Sequence, residues 1–227
     1  MTSATAESMI TRVRDLADDG GSVPFNTNAQ ILNWLNDGLE ELHNLVVQSS
    51  QEYIRERKTY TFDGRSPSEY PVPADMMKAL GMDLVVSTTT RRRMERFQNA
   101  ERNTRQTGVS GSTPWGAPMY RIVGEKVEVI PGQSSGTAEL FYVPEFKRLK
   151  EMADQPAGYV KEGWETFAVY HAAYKCVERE EGDVRPFLRD KEARAAQIVA
   201  FLTPRDAGEH LKVIDTQGIA DRESGGW

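Results

Sequence analysis

Cysteine is almost missing from this sequence, and Cys176 stands alone. A single thiol excludes an intrachain disulfide and a cysteine zinc cage, and it suits a chain made in a reducing compartment. Long apolar runs are also missing: no stretch approaches the roughly 18 residues of a membrane span. The opening MTSATAESMITRVRDLADD lacks the basic-then-apolar order of a secretory signal. The expectation is a soluble protein, cytosolic at synthesis, with no membrane partner. Histidine is scarce. His43, His171 and His210 are dispersed, and none belongs to an HExxH pair, so no catalytic metal is expected. Neither GxGxxG nor GxxxxGK[ST] occurs; close approach to a phosphate needs glycines at those offsets, and no nucleotide cofactor is expected.

What is there is a chain of 227 residues, enough for a real core. The apolar share is 39% with tyrosine counted. Counting glycine in place of tyrosine gives about 44%, slightly under the globular norm of roughly 45–50%, so partners are expected to complete some apolar surface. The net charge of −6 argues against a general nucleic-acid coat but leaves local basic patches open.

The first 50 residues read as two helices. Ala6, Ile10, Val13, Leu16 and Ala17 form a stripe at helical spacing, with Asp18-Asp19-Gly20-Gly21 as the stop. Thr27-Asn28-Ala29-Gln30 is a capping box before Ile31, Leu32, Leu35, Leu39, Leu42 and Leu45. From Arg57 the period changes. Lys58 to Phe62 alternates as a strand, a turn follows at 63–67, and Tyr70-Pro71-Val72-Pro73 continues extended. Ala74 to Leu80 reads as a helical turn after Pro73, and Leu84-Val85-Val86 as a strand. The polar run from Arg91 to Arg105 reads as helical, and Gly108 to Pro118 as a loop.

Met119 to Val143 carries the clearest β signal. A two-residue turn at Gly124-Glu125 places Ile122 opposite Val127, Tyr120 opposite Val129 and Arg121 opposite Glu128. Ala138 to Val143 is expected as the third strand of that meander. After Gly158 the helical period returns through Trp164, Phe167, Ala168, His171, Ala172 and Cys176, and ends at Glu180 to Asp183. A last helix has Pro186 in its first turn and carries Leu188, Ala195, Ile198, Val199 and Leu202. The fold class expected is α+β: a mainly helical bundle from 1–50 and 158–202, an antiparallel β module inserted at 51–157, and an extended tail over 203–227.

No catalytic constellation emerges. His43 and His171 read as satisfied core or interface histidines, and Cys176 as a packing residue five positions from His171. Carboxylates such as Glu162 with Glu165 are plentiful, but spacing alone does not make an acid/base pair; the chain is not expected to be an enzyme. Charge is strongly segregated. Six arginines against two glutamates fall between Arg91 and Arg105, while the rest of the chain is acidic. Arg91, Arg92, Arg93 and Arg96 suit either the phosphates of DNA or, the favoured reading, a solvated helix or a surface pairing with an acidic neighbouring subunit. In the tail, Leu211, Val213, Ile214, Ile219 and Trp227 are anchor types that suit contact with a partner or a neighbouring copy.

The order of segments resembles the head-to-tail adaptor (connector) proteins of tailed bacteriophages. The matching stretches are Ile31-Leu32-Asn33-Trp34-Leu35-Asn36-Asp37-Gly38, Val72-Pro73-Ala74-Asp75, Tyr120-Arg121-Ile122 to Val129-Ile130-Pro131, Leu140-Phe141-Tyr142-Val143-Pro144 and Tyr170-His171-Ala172-Ala173-Tyr174. The resemblance spans about residues 5 to 202. It implies a structural subunit that assembles as a ring, typically twelvefold, beneath the portal protein and forms the platform for the tail or the next connector. It also implies a DNA passage through the ring lumen and a tail lying on the portal or a neighbouring subunit. The location implied is the portal vertex of the virion, reached from the host cytoplasm during assembly.

Overall fold

Thr27 starts the longest helix. Its hydroxyl accepts from the Gln30 backbone N–H at 3.3 Å, and the Gln30 side-chain oxygen accepts from the Thr27 N–H at 2.9 Å, so two orphan donors at the helix start are satisfied reciprocally. In this computed structural model, which describes residues 4–19, 21, 24–63, 69–97, 119–130 and 135–203, that helix is α2, Asn28–Ser49. It follows α1, Ala6–Ala17, whose cap is Thr5 and whose stop is Asp18 in the left-handed region at φ 55°. Helices α3, Glu165–Arg179, and α4, Arg185–Leu202, complete the α-helical set of the described residues, and a 3-10 turn, Gln51–Ile54, follows α2. Their shared core holds Ile10, Val13, Leu35, Leu39, Leu42, Phe167, Ala172, Cys176 and Ile198. Leu16 and Leu188, expected on the buried stripes, are exposed. Met9 is fully buried on α1 in their stead, one turn before Val13.

Close approach makes the α2–α3 contact. A Cβ added at Gly38 would lie 2.8 Å from His171 Cβ and 2.9 Å from Ala168 Cα, so only glycine lets the backbones meet there. The segment after the β region is tied to the helices by backbone groups. Asn36, buried on α2, donates to the Leu149 carbonyl at 3.0 Å and accepts from the Leu149 N–H at 2.8 Å. The N–H groups of Ala6 and Glu7 at the start of α1 donate to the carbonyls of Asp154 and Met152.

Between α2 and α3 the described residues form seven strands: β1 Glu56–Asp63, β2 Glu69–Pro71, β3 Met76–Val85, β4 Arg91–Arg93, β5 Met119–Val123, β6 Lys126–Ile130 and β7 Ser135–Pro144. They form two antiparallel sheets, ordered β1-β7-β3-β4 and β2-β6-β5. The hairpin register is the one the sequence pairs demand: Ile122 faces Val127, Tyr120 faces Val129 and Arg121 faces Glu128, with Gly124 at φ 56° in the turn. A second core between the sheets is built from Tyr60, Phe62, Met82, Met94, Tyr120, Val127, Val129 and Leu140.

Three expectations fail here, each for a tertiary reason. Ala74 to Leu80 is not a helical turn: from Met76 it is the start of β3, which has β7 on one side and β4 on the other and two register shifts in its ladder with β7. Pairing overrides a weak local preference. Ala138 to Val143 does not extend the β5–β6 meander. As part of β7 it crosses to the other sheet and fits between β1 and β3, because Ala138 and Leu140 face the core while Glu139 faces out to arginines. The Arg91 start of the polar run is strand, not helix. The class is α+β as expected, but with four α-helices and two sheets among the described residues it is not mainly helical.

Candidate functional site

The arginine run is where charge and geometry meet. The β3–β4 hairpin turns through Val86 to Thr90, and Ser87 Oγ accepts from the backbone N–H groups of Thr89 at 3.3 Å and Thr90 at 3.0 Å. Strand alternation then divides the arginines. In the register Asp83↔Arg93, Leu84↔Arg92, Val85↔Arg91, Arg91 and Arg93 share the outer face with Asp83 and Glu139, whereas Arg92 points to the other face.

Two of the four arginines are committed to the fold. Arg91 Nε donates to Glu139 Oε2 at 2.8 Å, and Arg57 Nη1 donates to Glu139 Oε1 at 3.2 Å. The hydrogen bond from Arg91, with the charges of Arg91 and Arg57, holds the Glu139 carboxyl below the usual range against the opposing effect of burial. Arg96 donates from Nε to the Tyr120 hydroxyl at 3.1 Å and from Nη2 to the Ala79 carbonyl at 3.3 Å. It stands where the chain crosses between the sheets: Met94 N–H donates to Met82, Phe97 N–H to Tyr120, and Tyr120 N–H to Glu95. Arg92 and Arg93 are exposed and make no ion pair among the described residues. The sequence grouped all four alike. The signal that separates them is Glu139, a lone carboxylate inside the apolar run of β7, whose partners had to come from neighbouring strands.

The histidines bind helices and loops together. His171 on α3 has Nδ1 3.1 Å from Glu41 Oε2 on α2 and 3.1 Å from Lys191 Nζ on α4. Lys191 donates to Glu41 at 2.6 Å and lies over the Phe167 ring. Burial, then the Lys191 charge, lower the His171 pKa; Glu41 and Asp37 oppose them. His43 Nδ1 is 2.8 Å from the Tyr159 hydroxyl. Burial lowers the His43 pKa despite Glu40 and the Pro144 carbonyl, while it raises that of Tyr159, so both groups of this contact are held neutral. Burial pushes the Cys176 thiol up to about 12, which leaves it an inert packing group.

A cavity of about 450 Å³ lies where β1 and β3 meet the segment after β7, lined by Tyr53, Arg55, Glu56, Asp75, Glu145 and Tyr159 among others. At its margin the buried Tyr142 hydroxyl stands 3.2 Å from Glu56 and 3.3 Å from Asp75, and burial, followed by those carboxylates, raises its pKa. Among the described residues no group of three or more His, Cys, Asp or Glu is arranged to hold a metal ion, and no helix is long and apolar enough to cross a membrane. His210, Arg102, Arg105, the 108–118 loop and the tail anchors Leu211, Val213, Ile214, Ile219 and Trp227 lie outside the described residues.

Among the described residues the fold is a four-helix frame with an inserted pair of antiparallel sheets, and many of its polar side chains bridge one element to another. The model of the SU10 adaptor protein family matches residues 4–210, and the chain belongs to that family of phage structural adaptors. No curated protein matches it.

Proposed function

We propose that this protein is a ring-forming adaptor that joins the portal of a tailed phage to its tail or next connector and extends the DNA channel. The observation that carries the reading is the family match across residues 4–210, which takes in both the helical frame and the sheets. Supporting it, the ion pairs and caps of the described residues serve packing, which suits a subunit whose work is contact. On this reading the copies close into a ring, twelvefold by family resemblance, at the portal vertex of the virion, after assembly in the host cytoplasm. The helices of 1–50 and 158–202 serve as the frame, 51–157 as an inserted module, and Leu211, Val213, Ile214, Ile219 and Trp227 as contacts to the portal or a neighbouring copy.

The test is the mass of the complex formed when the protein is mixed with the portal ring encoded by the same genome. A discrete added mass of about twelve copies, as a closed cyclic assembly requires, is the expected result. A truncation before Arg205 should keep its helix content and lose attachment. No association of the full chain overturns the adaptor reading, and normal attachment of the truncated chain overturns the role of the tail.

A further inference from the structure

We infer that the β3–β4 hairpin is a contact for the phosphate backbone of duplex DNA, made by Arg92, Arg93 and the open edge of β4. The edge follows from the hydrogen-bond pattern. Val86 N–H donates to Thr90 and Met94 N–H to Met82, so the pairs 86:90 and 82:94 are hydrogen-bonded, and the antiparallel alternation makes 84:92 hydrogen-bonded as well. The intervening residues, Arg91 and Arg93, turn their backbone N–H and C=O groups outward, because β4 is the last strand of its sheet among the described residues. Backbone N–H groups and arginine forks are standard donors to phosphate oxygens.

The side chains add to this edge. Arg92 and Arg93 project to opposite faces of β4 and straddle it, while Glu139 neutralises Arg91 and thereby pins the strand to the sheet. Every residue from Val86 to Arg93 is exposed, with the hydroxyls of Thr88 and Thr90 on the same ridge. A ridge does not enclose a small anion, which calls for a concave site. It suits a polymer whose charges run in a line. On a chain of net charge −6, a local basic ridge gives a contact that depends on salt and reads no bases. The inference stands apart from portal attachment, since nothing in it uses the tail or the helices.

The experiment is fluorescence anisotropy of the full-length protein with a duplex of about 30 base pairs across a salt series. The wild type is expected to bind at about 50 mM salt, and the double variant Arg92→Gln/Arg93→Gln to bind more weakly, with a log–log salt slope shallower by about 1.8, or about 0.9 for each phosphate contact removed. Circular dichroism and the melting temperature of the variant should match the wild type, because neither guanidinium makes an ion pair or hydrogen bond among the described residues. An unchanged affinity and slope, or no duplex binding by the wild type, overturns the inference. Displacement of the duplex by polyglutamate at equal charge concentration also overturns it, in favour of an acidic protein partner. The double variant should still join the portal ring, so failure of DNA binding and failure of portal attachment are separate results.

Discussion

At the scale of single residues, the most constrained position is Gly38. A methyl group there meets His171 Cβ at 2.8 Å and Ala168 Cα at 2.9 Å, both attached to the backbone of α3 and unable to move alone. Alanine would gain about 1 kcal/mol in helix propensity, but separating two packed helices costs about 1–3 kcal/mol, so Gly38→Ala should give a net loss of up to about 2 kcal/mol. Thermal melting checks it, and a raised melting temperature would show that propensity wins and that the close approach is not needed. The glycine itself was visible in the sequence; what it touches was not, because His171 lies far along the chain. The same holds for Glu139. Its place amid apolar neighbours is evident from Ala138-Glu139-Leu140, yet the arginines it holds come from β1 and β4, and no local rule names them.

Elements with local causes were legible. The capping box at Thr27 and Gln30, the stop at Asp18 and the β5–β6 register all depend on residues within a few positions of one another, and the structure agrees with each. Elements decided by distant pairing were not: β3 has modest β propensity at Ala79 and Leu80, and β4 has none to speak of, but both are fixed by the strands beside them. The difference can be measured at α2. Thr27→Ala removes one half of the box and should cost about 1 kcal/mol. Gln30→Ala should cost more, because its side-chain oxygen also accepts from Arg179 Nη1 at 2.9 Å, which ties the start of α2 to the last turn of α3. Urea unfolding of the two variants checks the order; equal losses would mean that the Arg179 contact contributes nothing, as many exposed hydrogen bonds do.

At the scale of the whole molecule, the helical frame is held in part by two histidines kept neutral. His171 sits between α2, α3 and α4, and a second positive charge there would stand 3.1 Å from Lys191; His43 joins α2 to the 144–164 segment through Tyr159. Both have folded-state pKa values lowered from 6.5, mainly by burial. The unfolded chain therefore takes up protons first as pH falls. The stability these groups contribute is fully present above about 6.5 and is lost as pH drops from there through their folded values, with a slope of at most about 1.4 kcal/mol per pH unit for each. Glu139, lowered by Arg91, and Asp183, lowered to about 2 by Arg185, act in the same direction but only below the ordinary carboxylate range. Acid unfolding should thus proceed in two stages: a first decline from the histidines as pH falls below about 6.5, then a second from the carboxylates below about 4.5. Urea midpoints measured from pH 8 to 4 test this directly. A flat midpoint between pH 7 and 5 would mean that the neighbouring carboxylates balance burial and Lys191, so that folding leaves proton uptake by the histidines unchanged. The neutral reading further requires that a His171→Gln variant lose part of the first stage while leaving the second in place, because the glutamine amide can still meet Glu41 but takes up no proton.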